Sequence, residues 1–333
     1  MDTLCEVPNL YEALPRLIAQ IPRGQVTTYG DLAEALGSLA AARWVGEFLI
    51  LHPHDGGCPC HRVVRRTGEP GLYISGNPNE KIDRLRAEKI DVDNGRIDLE
   101  RFGFNRFTSD RPLQSLTEFQ AGLPERILQE AYHGVPELVA GVDISYPAAR
   151  EAVGAYVLVD SASGRLVWSS TVRQRVTFPY IPGFLSFRES PLMLALLRQA
   201  KSQGQLAEVV FVDGNGILHP RRAGIASHLG VMSGVRTVGV GKKLLCGRVD
   251  LDDMPEAEPR PVFFDGDVIG MAVKSRATSR PVFVSPGHRI DSPSAVRLAI
   301  ALFHGHRVPE PIYWADRVSR QPEKFDPTTP ESL

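Results

Sequence analysis

The stretch "EVVFVDGNG", Glu208 to Gly216, is an apolar, β-rich run that closes on a carboxylate and a glycine turn. It reads as a strand. Four further runs share its character: "ELVAGVDISY" (137–146), "GAYVLVD" (154–160), "RLVWSSTV" (165–172) and "VRTVGVG" (235–241). Helical patterns stand between some of them, as at Pro191–Ser202 and Ser292–His304. That alternation predicts an α/β domain over residues 116–333. Asp213 ends the first run, and Asp143 lies near the end of "VAGVDISY". Glu189, in "FRES", precedes a helical stretch. A carboxylate at the end of a hydrophobic strand is costly unless paired or metal-bound. Hard oxygen ligands suit Mg²⁺ or Mn²⁺. Turn formation at Asp213 and helix N-terminal charge at Glu189 are the structural alternatives, and the residues alone leave both open.

The rest of the chain sets bounds. Its 333 residues favour two domains, and its net charge of −1 supplies no global basic field. Any nucleic-acid contact must come from local patches. The four cysteines, Cys5, Cys58, Cys60 and Cys246, are too few and scattered for a disulfide framework. No apolar run is long enough for a membrane span, and no signal-peptide pattern opens the sequence. The expectation is a reducing, cytoplasmic compartment, with no membrane and no protein partner deduced.

Upstream, "NLYEALPRLIAQI" (9–21) carries apolar residues at helical spacing. A turn at Pro22–Gly24, a short extended piece and a helix with Asp31 near its first turn follow, stopped by Gly37. "SLAAARWVGEFLILHP" (38–53) predicts a second helix with Ser38 as N-cap. The pair reads either as a helix-turn-helix or as two helices that simply pack. Polar residues 92–115 read as an exposed connection. The predicted division is residues 1–100, a linker at 101–115, and residues 116–333.

"GGCPCHRVV", Gly56 to Val64, contains Cys60 between a proline and a histidine. As a metal site, Cys58, Cys60 and His61 are crowded, with no second CxxC or HxxxH pair. As core, a free cysteine is a small hydrophobe. As a nucleophile, it needs a lowered thiol pKa and a nearby base. Local chemistry leaves all three standing.

The segments "IPRGQVTTYGDLAEALG", "AARWVG", "PCHRVVRRTG" and "KIDRLRAE", in that order over residues 9–90, resemble the DNA-binding and transfer domain of the O6-alkylguanine-DNA alkyltransferases. The resemblance implies a mostly helical, winged helix-turn-helix-like domain needing no cofactor. It implies that Cys60 accepts the alkyl group, that His61 takes the thiol proton through water, and that Glu88 orients His61. Tyr29 would crowd the phosphate and help rotate the nucleotide, and Arg43 would fill the gap left in the duplex. The chain departs from the family at His52, where an asparagine is usual, in the loop "HDGGCP", and in "GLYISGNPNEK", which carries one extra residue.

"VAGVDISYP", "PYIPGFLSFRE", "VDGNGILHPRRAGIASHLGV", "VGVGKK" and "SPGHRI" together resemble endonuclease V over residues 116–315. This implies a ribonuclease H-like mixed sheet with flanking helices, and metal-dependent nicking of DNA at the second phosphodiester bond 3′ to deoxyinosine. Some members prefer inosine in RNA. Asp143 and Asp213 would bind Mg²⁺, with Mn²⁺ as the alternative. Glu189 would bind it directly or through water, and His288 would assist. His219, Lys242, Arg221 and Arg222 would contact the strand. Tyr180, in "PYIP", would wedge the strands apart, and Gly214 and Gly216 would let the backbone approach the flipped base.

Three expectations compete: a dual enzyme acting on duplex DNA with O6-alkylguanine or deoxyinosine; a nuclease targeted by a non-transferring lesion-binding half; and a nuclease for inosine in RNA.

Overall fold

The computed structural model describes residues 7–53, 57–148 and 150–325. Two compact units account for them: the chain up to Glu118 together with Thr177–Leu185, and Phe119–Val176 with the chain from Ser186 onward.

The first unit is mostly helical. α1 (Leu10–Ile18) starts at Asn9, whose side chain accepts from the Tyr11 N–H. It buries Leu10, Leu14, Leu17 and Ile18, the spacing of one helix face. β1 (Thr27–Thr28) runs straight into α2 (Tyr29–Ala35). Asp31 completes a capping box there with Thr28, each satisfying the other's backbone N–H. Gly37 ends the turn after α2 at φ +103°, in the region that favours glycine. Ser38 caps a short 3-10 turn, Leu39–Ala41, rather than the next helix, and α3 (Ala42–Leu51) begins only after that turn. β2 (Val63–Val64) pairs in parallel with β1, Thr27 opposite Val63. α4 (Pro78–Ala87), α5 (Leu99–Phe102) and α6 (Pro112–Ala121) follow. Val26, Val64, Leu85, Ile90, Ile97 and Phe102 form a core cluster.

The stretch expected as a linker is tied down within this unit. The Phe104 N–H donates to the Val26 carbonyl (2.7 Å), Ser109 Oγ to Ala35 (2.6 Å) and the Leu113 N–H to Leu36 (2.8 Å). Composition reads polarity, but these bonds are made largely by the backbone, which composition does not register. The division between units falls between Glu118 and Phe119, inside α6.

The second unit is built on an eight-stranded mixed sheet. β3 (Leu138–Ala148), β4 (Glu151–Asp160) and β5 (Leu166–Arg175) form an antiparallel meander. α7 (Leu185–Ser202) then leads to β6 (Val209–Asp213), which lies parallel to β3. α8 (Ile225–Ser233) returns to β7 (Arg236–Gly241), parallel to β6. β8 (Arg260–Phe264), β9 (Asp267–Val273) and β10 (Val282–His288) complete the order β5-β4-β3-β6-β7-β10-β9-β8. α9 (Ser292–Ala301) and α10 (Glu310–Arg320) close the chain. α7 starts a full turn and more before Pro191, so Glu189 lies within the helix and not ahead of it. A proline suggests a helix start because it lacks the N–H an interior position donates; here it sits inside.

Alternation along the strands decides what each face meets. Val139, Val209 and Phe211 face α9 and α10, packing with Leu298, Ile312 and Val318. Ala140, Val142, Val210 and Val212 face α7 and α8, packing with Met193, Leu196 and Leu229. By the same count, Asp143 and Asp213 fall on the α10 face. Gly141, two residues before Asp143, explains how near α10 comes: a Cβ there would collide with the Pro311 carbonyl. Among the described residues no helix is long and apolar enough to cross a membrane.

Candidate active sites

In the first unit, Pro59 opens a 3-10 turn, Pro59–Arg62, with Cys58 at its N-cap. Cys60 and His61 on that turn are buried, 3% and 7% exposed. His61 Nε2 lies 3.0 Å from Glu88 Oε1 at the end of α4. A carboxylate only accepts, so Nε2 carries the proton and Nδ1 keeps the free lone pair. Nδ1 is buried and makes no hydrogen bond within the protein. Glu88 also receives Arg62 through Nε (2.8 Å) and Nη2 (2.7 Å), and the Gly24 N–H (3.2 Å). Burial pushes Glu88 up, but Arg62, Gly24 and His61 outweigh it and bring its pKa down to about 2. Burial lowers His61, keeping the imidazole neutral against the pull of Glu88.

Cys60 does not stand alone. Its thiol is hydrogen-bonded to Cys58, and this contact, then burial, push Cys60 up while Lys81 and Arg84 pull it down. Cys58 moves down for the same reason. Lys81 is buried, donates to the Val63 (2.6 Å) and Leu72 (3.3 Å) carbonyls, and is lowered by burial to about 8. It is a cation beside the thiol that the sequence reading passed over. Tyr29 begins α2, its pKa raised by burial. Arg43 is solvent-exposed on α3 and paired with Glu47 at 3.2 Å.

In the second unit, Asp143, Asp213 and Asp316 each offer a carboxylate oxygen, all within 4.8 Å of one another. They line a cleft of about 640 Å³ with Tyr146, Lys242 and Ser319. Asp316 comes from α10, and nothing in the sequence reading singled it out. Lys242 Nζ bonds Asp213 Oδ2 and lies 3.4 Å from Asp316 Oδ1. Burial works against its charge, but Asp213 outweighs this and raises its pKa. Ser319 Oγ donates to Asp143 Oδ2 at 3.0 Å. Burial, then the Asp213 carboxylate, push Asp143 up to about 7. Glu189 is buried on α7 and accepts from the Tyr146 hydroxyl at 2.9 Å. Burial, with the repulsion of Asp143 and Asp213, raises it to about 7. Repelling carboxylates drawn together at such cost are the donor set of a hard divalent cation, so the residues fit Mg²⁺ or Mn²⁺. Glu189 stands beside the triad rather than within it.

The other sequence candidates lie elsewhere. His288 pairs with Thr237 at the start of β7, whereas Asp213 pairs with Val240 near its end. Strand direction therefore carries His288 to the opposite end of the sheet, where Nδ1 accepts from the Leu128 N–H at 3.3 Å; it does not join the carboxylates. His219 is buried, accepts from the Arg221 N–H (3.1 Å), and is lowered by desolvation to about 4. Arg221 donates to Gln120 (2.7 Å), and Arg222 to the Phe264 carbonyl and Asp267 (both 3.0 Å). Both expected phosphate ligands are thus engaged inside the unit. A Cβ on Gly216 would meet the Pro286 carbonyl, so the close approach of β10 requires glycine there. Tyr180 is 63% exposed, on the loop grouped with the first unit.

Comparison with known proteins finds two families along the chain. Residues 122–317 match the endonuclease V family, and residues 9–90 match the 6-O-methylguanine DNA methyltransferase DNA binding domain. The catalytic domain of human endonuclease V superposes with a TM-score of 0.60 at 32% identity, covering 65% of this chain and 98% of that one. Endonuclease V of Ciona intestinalis, solved with a 24mer DNA containing an inosine followed by a ribo-adenosine, gives 0.57 at 27% identity, covering 65% and 99%. A bifunctional methyltransferase/endonuclease of Picrophilus torridus is 35% identical over 301 residues, 90% of this chain and 92% of that protein. The second unit therefore has the endonuclease V fold, and the chain is an enzyme. It belongs to the bifunctional methyltransferase/endonuclease family, joining a DNA repair methyltransferase to an endonuclease V.

Proposed function

We propose that the chain repairs two lesions in duplex DNA. The first half removes the alkyl group from O6-alkylguanine once per molecule. The second nicks at the second phosphodiester bond 3′ to deoxyinosine and turns over. The division that goes with this is residues 1–100 for transfer and 116–333 for nicking, with residues 101–115 packed on the first unit rather than free between them.

In the transfer reaction, Cys60 Sγ attacks the alkyl carbon. The C–O6 bond breaks, an S–C thioether forms, and guanine leaves with the electron pair on O6 and takes up a proton. His61 Nδ1, aimed by the Glu88 contact to Nε2, receives the Cys60 proton through water. The observation that supports this is the buried His61–Glu88–Arg62 array at 3.0 and 2.7 Å. Tyr29 and the exposed Arg43 act on the extruded nucleotide and the duplex.

For nicking, the supporting observation is the cluster of Asp143, Asp213 and Asp316. These three would hold Mg²⁺, with Glu189 close by. When bound, the cation supplies charge for the phosphate and an activated water. Lys242 stands where it can steady a phosphate oxygen, Ser319 orients Asp143, and Tyr180 separates the strands. The related Ciona structure holds a DNA strand with an inosine followed by a ribo-adenosine, which supports inosine as the base recognised here.

The test is intact mass after incubation with an O6-methylguanine duplex, beside a Cys60→Ser control. Gain of one methyl group in the natural chain alone supports the transfer. No gain with lesion binding retained makes the first half a sensor. Matched deoxyinosine and inosine-RNA duplexes with Mg²⁺ test the nuclease, and faster cleavage of RNA overturns the DNA assignment.

A further inference from the structure

His52 Nε2, Cys58 Sγ and Cys60 Sγ lie within 4.8 Å of one another in the first unit. We propose that these three atoms form a binding site for a thiophilic divalent cation, Zn²⁺, whose occupancy withholds Cys60 from alkyl transfer. The blocking half of this rests on Cys60 being the alkyl acceptor; the site itself does not.

The donors are those of zinc and not of magnesium: two sulfurs and an imidazole nitrogen. Ligands at ~2.3 Å for sulfur and ~2.0 Å for nitrogen stand about 3.5 Å apart around a tetrahedral ion. His52 Nε2 and Cys58 Sγ are already 3.3 Å apart. The imidazole is set for the role. Nδ1 lies 3.1 Å from the Leu49 carbonyl, which only accepts, so Nδ1 carries the proton and Nε2 presents its lone pair to the sulfurs. The ring also stacks on Phe48 at 5.3 Å. Its position is fixed by the end of α3, while the turn opened by Pro59 brings both cysteines together.

Two thiolates neutralise a divalent cation, so Lys81 and Arg84 impose little penalty on the complex. Binding forms two Zn–S bonds and one Zn–N bond, releases the thiol protons to solvent, and leaves a fourth position for water. His52 and Cys58 both fall where the sequence departs from the alkyltransferase pattern, so the cradle belongs to this chain and not to the resemblance.

The experiment uses the full chain, stripped with chelator and desalted. Co²⁺ serves as the probe, because its thiolate complexes absorb by sulfur-to-metal charge transfer in the near ultraviolet. One equivalent is expected to bring up that band and Zn²⁺ to quench it. Cys58→Ser should abolish the band and His52→Asn weaken it, with retained binding of methylated duplex showing that each variant is folded. In parallel, free Zn²⁺ at about ten times its Kd should leave roughly one site in eleven open and slow methyl transfer about tenfold. Transfer by Cys58→Ser should be insensitive to zinc. No band with the natural chain, or a band unchanged in folded Cys58→Ser, overturns the site. A band together with zinc-insensitive transfer overturns the sharing of Cys60. A band with no transfer under any condition refutes the acceptor role of Cys60 and leaves the metal site standing.

Discussion

Glu88 in the first unit is met by Arg62, His61 and the Gly24 N–H, whereas in the second Lys242 pairs with Asp213 and Asp316, Arg320 pairs with Asp316, and Asp143 accepts from the Ser319 hydroxyl. The first carboxylate, with three donor residues, is driven down to about 2; in the second unit burial, then the neighbouring carboxylates, drive Asp143 and Glu189 up to about 7. The first arrangement is complete within the chain. The second carries negative charge that the chain leaves under-compensated, and that imbalance is what a divalent cation would relieve. On the proposed function, the transfer site is built from the protein's own groups, whereas the cleavage site would be finished by an ion.

The most severe way to break that contrast is Asp213→Asn. Loss of a metal-holding carboxylate should remove several kcal/mol of transition-state stabilisation, about a thousandfold in nicking rate. Methyl transfer by the same variant should be unchanged, with both read on one duplex carrying the two lesions. Transfer falling in step with nicking would mean the sites are not independent.

Glu88→Gln tests the other side. It leaves Arg62 buried without its charge partner and should cost the first unit about 3 kcal/mol. Hydrogen exchange, read separately for the amides of each unit, should show the loss there and not in the second.

The two regions should also answer pH with opposite signs. Glu88, with a folded value of about 2 against 4.5, contributes stability that is present above 4.5 and lost as pH falls toward 2. His61, lowered by burial, adds to that loss below its ordinary 6.5. Asp143 and Glu189 are raised from 3.8 and 4.5 to about 7, so the metal-free second unit should lose stability as pH rises through that window. Exchange measured without metal across this range should show the crossing. Mg²⁺ should then protect the second unit more at pH 8 than at pH 5, an expectation that equal protection would contradict.

Much of this contrast can be read from particular residues, and the remainder depends on direction and packing. Asp143 and Asp213 announce themselves because each lies in an apolar strand, where a charge has no ordinary reason to be. Asp316 does not, since it sits in "PIYWADRVSR" and resembles any exposed helix charge. Only the burial of Ile312, Ala315 and Val318 against β3 turns it toward the carboxylates. Gly141 was the available signal, because it permits that approach. His288 misleads for the opposite reason: a motif gives neighbours along the chain but not the direction in which β10 crosses β7. In the first unit, Cys60, His61 and Glu88 were legible through ordered motifs. Cys58 and His52 were visible as letters, but their approach to Cys60 follows from the end of α3 and the turn at Pro59.

Smaller effects sharpen the comparison further. Ser319→Ala removes the hydroxyl that orients Asp143 and should weaken Mg²⁺ affinity about tenfold, as loss of outer ligands generally does. Arg43→Ala removes the side chain assigned to the gap left by the extruded nucleotide and should weaken binding of O6-methylguanine duplex severalfold more than binding of the undamaged duplex, measured by titration of both.

The most direct test treats one preparation of the full chain with EDTA and offers it a duplex carrying both O6-methylguanine and deoxyinosine. Gain of one methyl group on the protein, with no nick until Mg²⁺ is added, is the predicted result. Nicking that survives the chelator, or methyl transfer that fails without metal, would contradict the account.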